Sequence, residues 1–149
     1  MKRTLLIVAL GITAVGLLAG FGFGAGHAMM DPVKMEKFIT WRINDLLDDI
    51  QATPTQRAAV LAVKDRLLPE FRQLPAQRDA THAQLQEMWK SDSPDPKAVH
   101  ALVDQRLDEF RSLAHKVADG FLDIHKALTP AQRAQLAAQA EKEHGNWHP

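Results

Sequence analysis

The chain contains no cysteine and no tyrosine, and its 18 basic and 18 acidic side chains cancel to zero net charge with histidine neutral. Without cysteine there is no disulfide scaffold, no thiolate nucleophile and no cysteine-ligated zinc or iron–sulfur site. Balanced charge removes the basic excess that nucleic-acid binders carry, so no nucleic-acid partner is expected. Aromatics make up only 6% of the 149 residues; beyond residue 28 they are Phe38, Trp41, Phe71, Trp89, Phe110, Phe121 and Trp147. A single domain so poor in strand formers, and rich in Ala, Leu, Gln, Arg and Glu, is expected to be all-α. No glycine-rich phosphate loop follows a strand-like run, and no Ser/His/Asp set sits in a strand–turn–helix context. We therefore expect no enzyme.

Charge is also missing locally. Lys2 and Arg3 precede an uncharged stretch from Thr4 to Gly26, apolar over Leu5–Leu18 and rich in small residues up to Ala28. A positive start, an apolar segment and a small-residue zone describe a secretory signal peptide over residues 1–28, cleaved after Ala28. The other reading is a retained anchor, since such a run just spans ~30 Å of hydrocarbon at ~1.5 Å per residue. Glycines between positions 20 and 26 weaken the end of that helix. Either way the remainder is expected outside the cytoplasm: soluble in the periplasm after cleavage, or inner-membrane-anchored and facing the periplasm. Residues 29–144 would form the helical domain and 145–149 a flexible tail. Removing the leader takes two basic residues and no acid, leaving a net charge of −2.

Prolines punctuate the rest. Asp31-Pro32 offers an N-cap followed by proline at the first helical position, and apolar residues at 35, 38, 39, 43, 46, 47 and 50 follow one helix face. Thr53-Pro54-Thr55-Gln56 is a capping box. It opens a long helix from about 55 to 90 along Val60, Val63, Leu67, Phe71 and Leu74, with Pro69 and Pro75 expected to kink it. Ser91–Pro96 is a loop, and Val99, Val103, Phe110, Leu113, Val117, Phe121, Ile124 and Leu128 mark the apolar face of the next helix. Thr129-Pro130-Ala131-Gln132 repeats the capping box and starts a last helix ending near His144, with Gly145 as its stop. Residues 97–127 alone would reach ~46 Å, too long for a compact bundle. The expected architecture is four helices: an extended hairpin of two long helices with a short helix at each end. So thin an object exposes apolar stripes, and a homodimer is expected to cover part of them.

The two helix starts share a pattern: Ala52-Thr53-Pro54-Thr55-Gln56-Arg57 and Leu128-Thr129-Pro130-Ala131-Gln132-Arg133. Leu74-Pro75-Ala76-Gln77-Arg78 is a partial copy lacking the threonine. Two copies at equivalent junctions of an exported helical chain resemble the Spy/CpxP family of envelope proteins, known for its LTxxQ motif and including zinc-resistance-associated and heavy-metal-sensor relatives. The likeness covers about residues 31–144; Ala52 stands where the family usually has leucine. The resemblance implies a cradle-like homodimer in the periplasm and either ATP-independent chaperone activity or a stress- or metal-sensing role beside an envelope sensor protein. Its partners would be unfolded or misfolded envelope proteins. Thr53, Pro54, Gln56, Arg57, Thr129, Pro130, Gln132 and Arg133 are the motif residues and helix caps. Arg42, Arg57, Arg66, Arg72, Arg78, Arg106, Arg111 and Arg133 are candidates for a surface that attracts acidic client segments, although helix arginines commonly pair with neighbouring acids instead.

No cofactor is required on this reading, but zinc or another divalent transition metal is an alternative ligand. Histidines remain at 82, 100, 115, 125, 144 and 148. His100/Asp104 and His115/Asp119 are i,i+4 pairs offering two ligands each, short of the four of a closed zinc site. The tail is richer: Glu141, His144 and His148 form the candidate metal set, supporting a heavy-metal-binding sensor or resistance protein as the alternative function. Residues 31–81 hold no histidine, unlike the clustered His/Glu array of the nickel/cobalt-sensing relatives.

Overall fold

A computed structural model describes residues 31–145 as four helices with no strand among them: α1 Pro32–Asp49, α2 Pro54–Lys90, α3 Pro96–Ala127 and α4 Pro130–Gly145. Each begins on a proline, where the missing N–H costs nothing because first-turn donors have no partner inside the helix. The residue before each proline caps. Asp31 Oδ1 accepts from Val33 N at 2.8 Å and Asp95 Oδ1 from Lys97 N at 2.9 Å, while Thr53 and Thr129 cap α2 and α4. The proposed leader, residues 1–28, lies outside the described residues. Among the described helices none is long and apolar enough to cross a membrane.

Pro69 and Pro75 stand inside α2, yet its helical assignment is unbroken. Each removes one rung and frees a carbonyl one turn earlier. Both prolines lie on the exposed side, where water can take up the freed carbonyls.

The ends of α1 and α2 are joined tightly. Gln51 adopts φ 52°, in the left-handed region. Gln51 N donates to Asp48 O at 2.9 Å and Ala52 N to Leu47 O at 2.8 Å. That is a Schellman stop, usually built on glycine. It turns the chain so that α1 runs back along α2. The register is read from polar contacts: Arg57 reaches Asn44, Lys64 reaches Thr40, and Arg72 reaches Glu36 and the Pro32 carbonyl.

α2 and α3 form the long antiparallel hairpin. Lys116 pairs with Glu70 at 2.7 Å and Arg66 with Asp123 at 2.7 Å. Between those pairs the helices approach at Gly120, which is buried. A Cβ there would lie 2.9 Å from Val63 Cγ1 and 3.1 Å from Leu67 Cδ1. The absent side chain sets how closely the helices can pack.

A small cluster sits at one end, while Val63, Leu68 and Leu102 are buried farther along the hairpin. Ile43, Leu47, Ile50, Val60 and Leu128 are buried together, with Ile39, Ala52, Leu61, Ile124 and Leu136 packed around them. All four helices and two linkers thus contribute to one cluster at the base of the hairpin. The tip, Ser91–Asp95, carries local bonds such as Ser93 N to Ser91 Oγ at 3.3 Å.

Candidate functional site

The two TPxQR segments, 76 residues apart in sequence, meet at this base and bond to each other. Each first completes its own cap. Thr53 Oγ1 accepts from Gln56 N at 3.2 Å while Gln56 Oε1 accepts from Thr53 N at 2.9 Å; the Thr129/Gln132 distances are 3.3 and 2.9 Å. A capping box uses only the oxygen of the glutamine, which leaves the amide nitrogen free to donate. Here Gln56 Nε2 donates to Gln132 Oε1 at 2.9 Å and Gln132 Nε2 to Gln56 Oε1 at 3.1 Å. The second hydrogen on each nitrogen crosses to the opposite junction: Gln56 Nε2 to the Ala127 carbonyl at 2.9 Å, Gln132 Nε2 to the Ile50 carbonyl at 3.3 Å. Each glutamine therefore caps its own helix and satisfies the end of the helix that precedes the other motif. The result is a clasp with local two-fold character.

The arginines extend it. Arg57 donates to Asn44 Oδ1 at 2.7 Å and pairs with Asp48, fastening α2 to α1. Arg133 donates to the carbonyls of Leu128 at 2.6 Å and His125 at 2.9 Å, closing the C-terminal end of α3. Cations at a helix C-terminus also complement its dipole. Leu128, the residue before the second threonine, is 4% exposed; Ala52, its counterpart, is half-buried against the same cluster. Gln135 adds a bond from α4 to the Asp49 carbonyl at 2.9 Å.

Sequence reading placed these residues at helix starts but did not find their mutual bonds. The available signal was the identical register of the two copies, each leaving one unused amide nitrogen. The arginines also stand differently from a bare client surface. Arg42, Arg66, Arg72, Arg106 and Arg111 hold carboxylates at 2.6–2.7 Å, and Arg78 approaches Asp79 at 3.5 Å. Arg57 and Arg133 belong to the clasp.

The apolar face of α3 divides. Val99, Leu102, Leu113, Val117 and Ile124 turn partly or fully inward, whereas Val103, Leu107, Phe110 and Phe121 form an outward line, 50%, 54%, 48% and 41% exposed. Their spacing keeps them on one helix face beside the seam with α2. At the far end of α2, Trp89 is 89% exposed and lines a shallow open hollow with His82, Leu85, Gln86 and Lys90.

Glu141 is exposed on α4, His144 lies in the last turn of that helix, and His148 falls outside the described residues. His82, His100, His115 and His125 are exposed and dispersed. No group of three or more His, Cys, Asp or Glu gathers around a common point among the described residues.

Four helices clasped at their junctions by a duplicated threonine–proline–glutamine–arginine segment define a class of all-α hairpin proteins built on that motif. A model of the LTXXQ motif family matches residues 38–140, and the chain belongs to that family, which is of the Spy/CpxP type. No curated protein and no solved structure matches the chain.

Proposed function

We propose that the chain is an ATP-independent chaperone of the Spy/CpxP type, exported to the periplasm, that holds unfolded envelope proteins as a homodimer. The observation that carries this reading is the apolar surface left uncovered along the hairpin, beyond the cluster at its base and the few side chains, Val63, Leu68 and Leu102, buried between the long helices. Val103, Leu107, Phe110 and Phe121 along α3, with Leu85 and Trp89 near the tip, are each at least 41% exposed. Burial of such side chains is worth about 25 cal/mol per Å², enough for many weak contacts with an unfolded chain and for pairing with a second copy. The clasp supports the role by holding long helices in fixed relation without a large core. Release needs no nucleotide, because each client contact is weak and the client buries its own apolar groups on folding.

The test is suppression of aggregation of a chemically unfolded client by residues 29–149 at near-stoichiometric ratio, with and without zinc. Suppression in both conditions is expected. Suppression only with zinc would assign a part to Glu141, His144 and His148, and a matching loss in His144→Ala/His148→Ala would establish the metal as a ligand. No suppression in either condition refutes the chaperone reading and favours a sensor or adaptor role.

A further inference from the structure

The outward face of α1 is divided along its length. Lys34, Lys37, Phe38 and Trp41 recur at i, i+3, i+4 and i+7 and so share one side of its first two and a half turns. All four are exposed, Trp41 at 58% and Phe38 at 39%, and the two rings stack with centroids 5.9 Å apart. Neither lysine engages a carboxylate among the described residues. Glu36, the nearest acid within the helix, faces α2, where Arg72 holds it at 2.6 Å and Lys64 approaches at 3.9 Å. Farther along, the same outward face carries Asp45, Asp48 and Asp49. Arg42 and Arg57 hold the first two. Toward the chain's start the face carries two lysines and the aromatic pair against one acid, Asp31, whose carboxylate accepts from Val33 N as the helix cap, and toward the clasp it is acidic.

Just ahead of the cationic half stands the uncharged run Thr4–Gly26. Lys34 follows Gly26 by eight residue steps, a tether of at most about 28 Å when fully extended. Exposed Trp and Phe beside unpaired lysines, next to an apolar segment able to enter hydrocarbon, match the chemistry of the headgroup layer. Tryptophan favours that layer, lysine is drawn to anionic lipid phosphates, and two weak membrane signals together anchor far better than one.

We propose that, in the chain with its leader in place, the first turns of α1 lie on an anionic phospholipid surface, with Trp41 and Phe38 among the headgroups and Lys34 and Lys37 on their phosphates. The acidic second half of α1 tilts away from the same surface, which keeps the clasp and α4 clear of the lipid. The inference rests on retention of the leader and is independent of client holding.

The experiment uses the full chain in lipid nanodiscs, with Trp89 and Trp147 replaced by Phe so that Trp41 is the remaining tryptophan. Discs of phosphatidylcholine with or without phosphatidylglycerol carry lipids brominated near the headgroup as quenchers, and protease protection of the leader confirms insertion. Strong quenching of Trp41 is expected in the anionic discs. Lys34→Gln/Lys37→Gln should lower the docking equilibrium constant about 30-fold, with helical content unchanged because both side chains are exposed. An unquenched Trp41 in anionic discs with the leader inserted overturns the proposal. So does quenching that ignores both the lipid charge and the lysines. Emission that shifts to the blue with protein concentration in the absence of lipid would assign the patch to a second copy instead. Persistent quenching in a chain that fails to hold clients would remove the chaperone reading and leave this one standing.

Discussion

If Gln56 and Gln132 act as one unit, replacing either should cost nearly as much as replacing both. Gln56→Ala removes the two amide–amide bonds, at 2.9 and 3.1 Å, and the bond to the Ala127 carbonyl at 2.9 Å. At about 1 kcal/mol net per partly buried hydrogen bond, the loss is about 3 kcal/mol. The exposed Thr53 N–H, which also loses its acceptor, finds water and adds little. Gln132→Ala removes the same amide pair and the bond to the Ile50 carbonyl, for a similar loss. The double variant loses the shared pair only once, so it should fall about 4 kcal/mol below the parent, where independent sites would give about 6. The coupling is thus about 2 kcal/mol, well outside the few tenths within which separate sites add. Urea unfolding followed by circular dichroism at 222 nm measures all four corners of the cycle. Protomer concentration must be held constant, since any dimer makes stability depend on it. Additivity within about 0.5 kcal/mol, or single losses below about 0.5 kcal/mol, would refute the clasp as the element that fastens the fold.

Three further outcomes follow from other features. Gln51→Gly should stabilise the chain by about 1 kcal/mol, read as a higher urea midpoint, because a left-handed φ of 52° is unfavourable for a residue with a Cβ. Gly120→Ala should destabilise by about 1 kcal/mol despite alanine's better helix propensity, because the new methyl would sit 2.9 Å from the stiff Val63 side chain; an unchanged or raised midpoint would show that the hairpin relaxes without cost. Leu107→Glu/Phe110→Glu should give a monomer in sedimentation at micromolar concentration with its helical content kept, since both side chains are about half exposed; a dimer that survives this change is not built on the outward line of α3.

Element boundaries were legible because four of the eight prolines stand at helix starts with a capping residue in front of each. Capping is local chemistry, so it can be read from neighbouring residues. Which side of each helix packs is not local. Val103 and Phe110 share the general apolar side of α3 with Leu113 and Ile124, and periodicity groups them together; only the placement of α2 turns the first two outward. The long helix expected from about 55 to 90, carrying Pro69 and Pro75 inside it, is found as Pro54–Lys90. The clasp was half legible. Thr53 and Thr129 announce their caps in sequence, but the meeting of Gln56 with Gln132 depends on both helix junctions arriving at the same end of the molecule.

That arrangement makes the molecule two comparable halves, each a helix–junction–helix unit carrying one motif, joined covalently only through the Ser91–Asp95 tip. The fastening lies at the other end, and the tip's hydrogen bonds are local. Lengthening that loop with flexible residues should therefore cost only closure entropy, about 0.6 kcal/mol per doubling. Cutting it should leave two fragments able to find each other through complementary amides. The tip is accordingly the natural place to insert a reporter or to exchange one half for that of a relative, and the junctions are the places where such a graft must match.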